Sequence, residues 1–131
     1  MNVFGRENPA EGRLSLRRDS AAAGRARKFV ERVLAQRGAS PGAVEAAQLV
    51  ASELVTNALQ HGEGAITLQL KHIKDFLRIE VIDEGRDQAP AVRAEPPDQT
   101  GGWGLRIVDQ LAVQWGVFEG TTHVWADVKL A

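Results

Sequence analysis

Apolar residues recur along this chain with two different periods, and the switches between them mark its elements. Residues 13–18 alternate, with Leu14 and Leu16 on one side, as in a short edge strand. The spacing then becomes helical. Ala22, Ala26, Phe29, Val30 and Val33 make a stripe that Asp19 or Ser20 can cap, running to about Gln36, with Gly38 suited to end it. A second helix opens at Ser40-Pro41, with the serine as cap and the proline in a first turn that does not need its N–H. It runs to about His61 and ends at Gly62. Its apolar arc of Ala47, Val50, Ala51, Leu54 and Ala58 is broad, and Leu49 and Leu59 blur it, so cover on more than one side is expected.

Period two returns at 65–72, where Ile66, Leu68 and Leu70 alternate with Thr67, Gln69 and Lys71. Lys74-Asp75 predicts a short turn. Residues 76–83 alternate again, with Leu77, Ile79 and Val81 on one face and Asp83 sharing their parity. That strand therefore delivers a carboxylate to the edge of the core. Residues 84–102 are polar and carry Pro90, Pro96 and Pro97; so long a loop in a small domain suggests a lid or binding loop. Leu105, Ile107, Val108 and Leu111 predict a helix over 103–111, and 113–118 with 121–130 predict a closing hairpin around Glu119-Gly120.

The length of 131 residues suits one domain, taken as 13–131 behind a loose segment 1–12. A hydrophobic content of 44% with 25% charged residues is that of an ordinary globular protein. The net charge of −1 makes no electrostatic case for direct binding of nucleic acid or an anionic membrane. Cysteine is absent, which removes disulfides, thiol catalysis and thiolate metal sites. No apolar run nears the roughly 20 residues that span a bilayer, and 1–12 lacks the apolar region of a signal peptide. A cytoplasmic location is the expectation.

Chemistry concentrates in the second helix. Glu53 and Asn57 lie one turn apart, so both side chains reach the same side. A carboxylate and a carboxamide so placed can hold a water and a hydrated Mg²⁺ beside a phosphate, since Mg²⁺ keeps several waters and one Asn oxygen can suffice. Asn57 and His61 fall in or beside the apolar arc and Glu53 at its edge, where polar groups cost free energy unless paired; a pocket wall is the reading. Downstream stand an Asp-x-Gly at Asp83 and Gly85, and a Gly-Gly-x-Gly at Gly101, Gly102 and Gly104. Backbone N–H groups at a helix start bind phosphate, and glycines permit close approach. The first helix carries Arg25, Arg27, Lys28, Arg32 and Arg37, either a solvated face or a docking surface for an acidic partner.

These motifs, in this order and on these elements, resemble the ATP-binding domain of the GHKL superfamily of histidine kinases, gyrase and some chaperones. Within it the chain is most similar to the compact serine-kinase branch, the bacterial anti-sigma factors, over about residues 13–130. The resemblance implies an α+β fold: a two-layer sandwich of a mixed, mostly antiparallel sheet with helices on one face. It implies ATP and Mg²⁺ as cofactors. By it, Glu53 is the base for the attacking hydroxyl, Asn57 binds Mg²⁺, and Asp83 accepts the adenine amino hydrogen where Gly85 admits the base. Gly101, Gly102 and Gly104, with Leu105 behind them, line the phosphates, and Thr122 lies near the adenine, with Thr121 as the register alternative. His61 is either a phosphate neighbour or a structural histidine, and Arg106 either reaches phosphate or lies on the surface.

The implied function is a protein serine/threonine kinase that phosphorylates an anti-anti-sigma partner of the STAS type and sequesters a sigma factor. The alternatives are a nucleotide-gated binding module without significant transfer, and a scaffold that binds a partner without nucleotide. Members are often dimers, which makes a homodimer an expectation as well. The chain departs from the pattern at Asp87, where the first glycine box often has a second glycine. No phosphoacceptor histidine segment is seen ahead of the fold, so a complete histidine kinase is not expected.

Overall fold

The structure is a computed structural model that describes residues 11–84, 102–117 and 123–130. The described elements run β1 (Glu11–Leu16), α1 (Ala22–Ala35), α2 (Pro41–His61), β2 (Ile66–Ile73), β3 (Phe76–Asp83), α3 (Gly102–Leu111), β4 (Gln114–Val117) and β5 (Val124–Lys129). The strands form one sheet in the order β1-β2-β3-β5-β4, and every described pairing is antiparallel. The two-layer α+β class is as expected, with no parallel pair among the described strands. The final hairpin is present as the β4–β5 pairing; its tip at Glu119-Gly120 lies outside the described residues.

Register explains the layering. Ile66, Leu68 and Leu70 stand opposite Leu16, Leu14 and Gly12 on one side, and opposite Asp83, Val81 and Ile79 on the other. Val124, Ala126 and Val128 continue the row beside Val81, Ile79 and Leu77. Cross-strand partners share a face, so these side chains make one apolar surface, and the helices bury it. Each fully buried Leu, Ile or Val there contributes about 1.5–3 kcal/mol relative to exposure. The long α2 occupies the middle, against β2, β3 and β5, with α1 and α3 packed on either side of it. That explains its blurred amphipathicity: Val50, Ala51, Leu54 and Val55 are all buried, and they point in several directions. Gly12 has a steric reason too, since a Cβ there would come within 2.9 Å of Phe29 Cζ, which lies over β1.

The helix ends follow local chemistry with one correction. Ser40 caps α2, its Oγ accepting from Ala43 N–H at 3.2 Å, and Pro41 is the first helical residue. Gly38, at φ 69°, takes the left-handed conformation after α1. Neither Asp19 nor Ser20 caps α1. Ala21 holds that position without a side-chain cap, and Asp19 instead closes the preceding turn, its Oδ1 accepting from Ala21 N–H at 2.9 Å. β1 begins at Glu11, inside the segment expected to be loose.

The outer face of the sheet carries charge. Asp127, 4% exposed, accepts from Arg78 Nε at 2.7 Å, Arg78 Nη2 at 2.9 Å and Gln114 Nε2 at 2.8 Å. Burial raises the Asp127 pKa, but these hydrogen bonds and the Arg78 charge outweigh it, and the carboxyl is held below its ordinary value. Glu80, equally buried, meets His123 Nε2 at 2.8 Å and Lys71 Nζ at 3.5 Å. The Arg78 guanidinium stacks 4.3 Å from the Trp125 ring centroid. Among the described residues no helix is long and apolar enough to cross a membrane.

Candidate functional site

The site is built on α2. Its 21 residues hold Glu53, Asn57 and His61 on successive turns, and the helix is pinned at both ends. Asn57 is 8% exposed, on the core side of its turn, and takes no part in the side-chain hydrogen bonds among the described residues. Glu53 is half-buried, and desolvation raises its pKa; among the described residues no hydrogen bond or nearby cation offsets it. A carboxylate so placed is a stronger base than one in water. Such a pair, one buried amide and one uncompensated carboxylate a turn apart, fits a ligand that brings its own cation and polar groups. Among the described residues no group of three or more His, Cys, Asp or Glu gathers to hold a metal. A metal beside Asn57 would take ligands from phosphate and water as well. His61 is exposed in the last turn.

Asp83 closes β3 at the C-terminal end of α2. Its carboxylate lies directly against the Cα of Gly62, in the space that any side chain at 62 would need. The next residue repeats the relation: the Glu84 side chain fills the space beside Gly64, which sits at φ 73°. Glu84 N–H donates to Glu63 O at 2.9 Å, joining the two segments. The structure thus brings the expected carboxylate to the end of the motif helix, by contacts between residues about twenty apart in sequence.

α3 packs against α2 and starts at Gly102, one residue earlier than predicted, so Gly102 and Gly104 both lie in its first turn. Leu105 is buried in the core, which leaves only its backbone for a ligand. Arg106 is exposed at the same end of the helix. Gly85, Gly101 and Thr122, the alternative Thr121, Asp87 and the expected lid over 84–102 apart from its end residues lie outside the described residues.

Sequence reasoning missed Arg18. From the β1–α1 connection its Nη1 donates to Ala58 O at 3.0 Å and Leu59 O at 3.1 Å, and its Nε to Gly64 O at 3.0 Å. Ala58 O also accepts from Gly62 N–H at 2.8 Å, so Arg18 adds a second donor there and reaches Leu59 O in the last turn, where its charge suits the negative pole of the helix. A basic residue between a strand and a helix is the only sequence signal, and it names no target. Gly62 was read as a helix stop; its second task, giving room to Asp83, is not visible in sequence.

Comparison with known proteins follows this geometry. The family profile of the histidine kinase-like ATPase domain matches residues 16–126. The chain belongs to that family. No curated protein matches it at a significant level. Among solved structures, the crystal structure of the RsbU and RsbW domains of Rv1364c from Mycobacterium tuberculosis matches with a TM-score of 0.65 at 21% identity. The match covers 90% of this chain but 30% of that one, so it speaks for a shared fold within a longer protein.

Proposed function

We propose that this chain is an ATP-dependent protein serine/threonine kinase of the anti-sigma type, acting on an anti-anti-sigma partner and sequestering a sigma factor. The observation that carries the reading is the α2 pair: Asn57 buried and Glu53 desolvated without a compensating partner, at the helix whose end meets Asp83. Family membership supports nucleotide use in general. ATP with Mg²⁺, when bound, supplies the γ-phosphoryl group and neutralises its charge. Asn57 holds the metal, Asp83 accepts from the adenine amino group, and the first turn of α3 offers backbone N–H groups to phosphate. Glu53 takes the proton of the incoming hydroxyl. Catalysis of this kind rests on positioning and electrostatics more than on covalent chemistry.

The basic face of α1 is a candidate docking surface, fastened to α2 one residue from Glu53 in sequence. Arg27 Nη1 donates to Ser52 Oγ at 3.0 Å, next to Glu53, and Gln48 Nε2 returns a bond to Arg27 O at 3.0 Å. The test is incubation of the purified protein with labelled ATP and a candidate anti-anti-sigma protein. Phosphoserine or phosphothreonine on the partner, lost with Glu53→Ala, is the expected result. Tight ATP-dependent partner binding without transfer would favour the nucleotide-gated binding module, and binding indifferent to ATP the scaffold.

A further inference from the structure

Asp83 can discriminate adenine only if its carboxylate is held still, and it stands at the last residue of β3, opposite Ile66. Its carboxylate packs against the turn at 62–64. Gly62 admits the carboxylate against its Cα, Gly64 admits the Glu84 side chain, and Glu63 O ties down the Glu84 amide at 2.9 Å. Arg18 anchors the turn. Arg18 bonds to Ala58 and Leu59 before it and to Gly64 at its end, so both flanks are fixed to one planar group. Arg18 is half-buried, and among the described residues its Nη2 is buried without a partner, so part of the guanidinium is shielded from water.

We propose that Arg18 is a positioning residue for nucleotide selectivity: by clamping the 62–64 turn it sets where the Asp83 carboxylate sits, and Gly62 is the seat that makes this position available. The proposal rests on the reading of Asp83 as the adenine acceptor. Arg18 touches no reacting group and acts only through the turn. Lysine cannot replace it fully, since a single ammonium does not span three carbonyls with the geometry of a guanidinium.

The experiment compares the full chain with Arg18→Met, Arg18→Lys, Gly62→Ala and Asp83→Asn. Affinities for ATP and GTP are measured by calorimetry, with and without Mg²⁺, alongside hydrogen exchange of the 58–64 amides and thermal stability. Asp83→Asn should weaken ATP binding roughly tenfold and erase the preference over GTP, as loss of a charge-assisted hydrogen bond implies. Arg18→Met and Gly62→Ala should narrow the ATP-to-GTP ratio in the same direction, with faster exchange at 62–64 in the Arg18 variant and Mg²⁺ dependence retained. Arg18→Lys should fall between wild type and Arg18→Met, and with Gly62→Ala it carries the test if Arg18→Met does not fold. A purely structural clamp would lower thermal stability and leave the ATP-to-GTP ratio of the folded variants unchanged, and that result overturns the proposal. If wild type binds ATP no better than GTP, the adenine reading falls. If Asp83→Asn erases the preference while the Arg18 and Gly62 variants keep it, only the present inference falls.

Discussion

Glu53 shows how a single position can trade stability for chemistry. Its folded pKa is raised because burial penalises the charged form. The folded state therefore binds this proton more tightly than the unfolded chain does, and stability falls as pH rises through the window from the ordinary value to the raised one. Above that window the carboxylate is a net cost. Glu53→Gln should raise the melting temperature at neutral pH while abolishing transfer, a loss of ~10²–10⁴-fold if Glu53 is the general base. In wild type the acid limb of the transfer rate should lie above the usual carboxylate range, because the base must be deprotonated. A variant that lowers the melting temperature, or keeps its transfer rate, would remove Glu53 from that role. Asn57→Ala should lose the Mg²⁺ dependence of ATP affinity and keep the preference for ATP over GTP.

At the scale of elements, strand pairing decides which polar groups become buried. β3 and β5 place Arg78 opposite Asp127, and β4 brings Gln114 to the same carboxylate. Asp127 is held below its ordinary pKa, so its contribution is fully present above the unfolded value and is lost as pH falls through the folded one. Asp127→Asn should cost about 1.5–3 kcal/mol in urea unfolding at neutral pH, the scale of a charge-assisted hydrogen bond and below that of a fully buried pair, since the Arg78 side chain is 27% exposed. The difference from wild type should shrink as pH falls below the ordinary carboxylate range, where Asp127 becomes progressively protonated. A pH-independent difference would show that packing around Trp125, and not the charge pair, holds these strands together.

For the whole molecule, the relation of α1 to α2 carries the functional argument. Lys28 and Arg32 are exposed on α1, beside the Arg27 that is fastened to Ser52. If an acidic partner docks there, Lys28→Glu with Arg32→Glu should slow association and flatten its salt dependence, since rim charges act mainly on the association rate. ATP affinity should stay within about twofold, because neither residue is placed at the nucleotide; surface charges more than a Debye length away are screened. Stopped-flow binding to the phosphorylatable partner at two salt concentrations measures this. Unchanged association would move the docking surface off α1.

Much of this architecture is local, and local features are readable along a chain. The alternation of Ile66, Leu68 and Leu70 specifies a half-buried strand wherever it pairs, and Ser40-Pro41 starts a helix without outside help. Glu53 and Asn57 share a side of α2 because of helical pitch alone, and Asp83 has core parity because of the pleat. The α1 start differs from the expectation because the Asp19 carboxylate accepts from the Ala21 amide, so turn chemistry wins over helix capping. What no local pattern contains is distance across the fold. Arg18 meets Ala58 and Gly64, Asp83 fills the space at Gly62, and Arg78 finds Asp127 only after the sheet has chosen its order and register. Those contacts join residues remote in sequence, and they follow from the packing of layers that alternation and capping specify one at a time. Local periodicity therefore determined which side chains face the core and which share a side of α2, while the tertiary structure alone decided what holds them there.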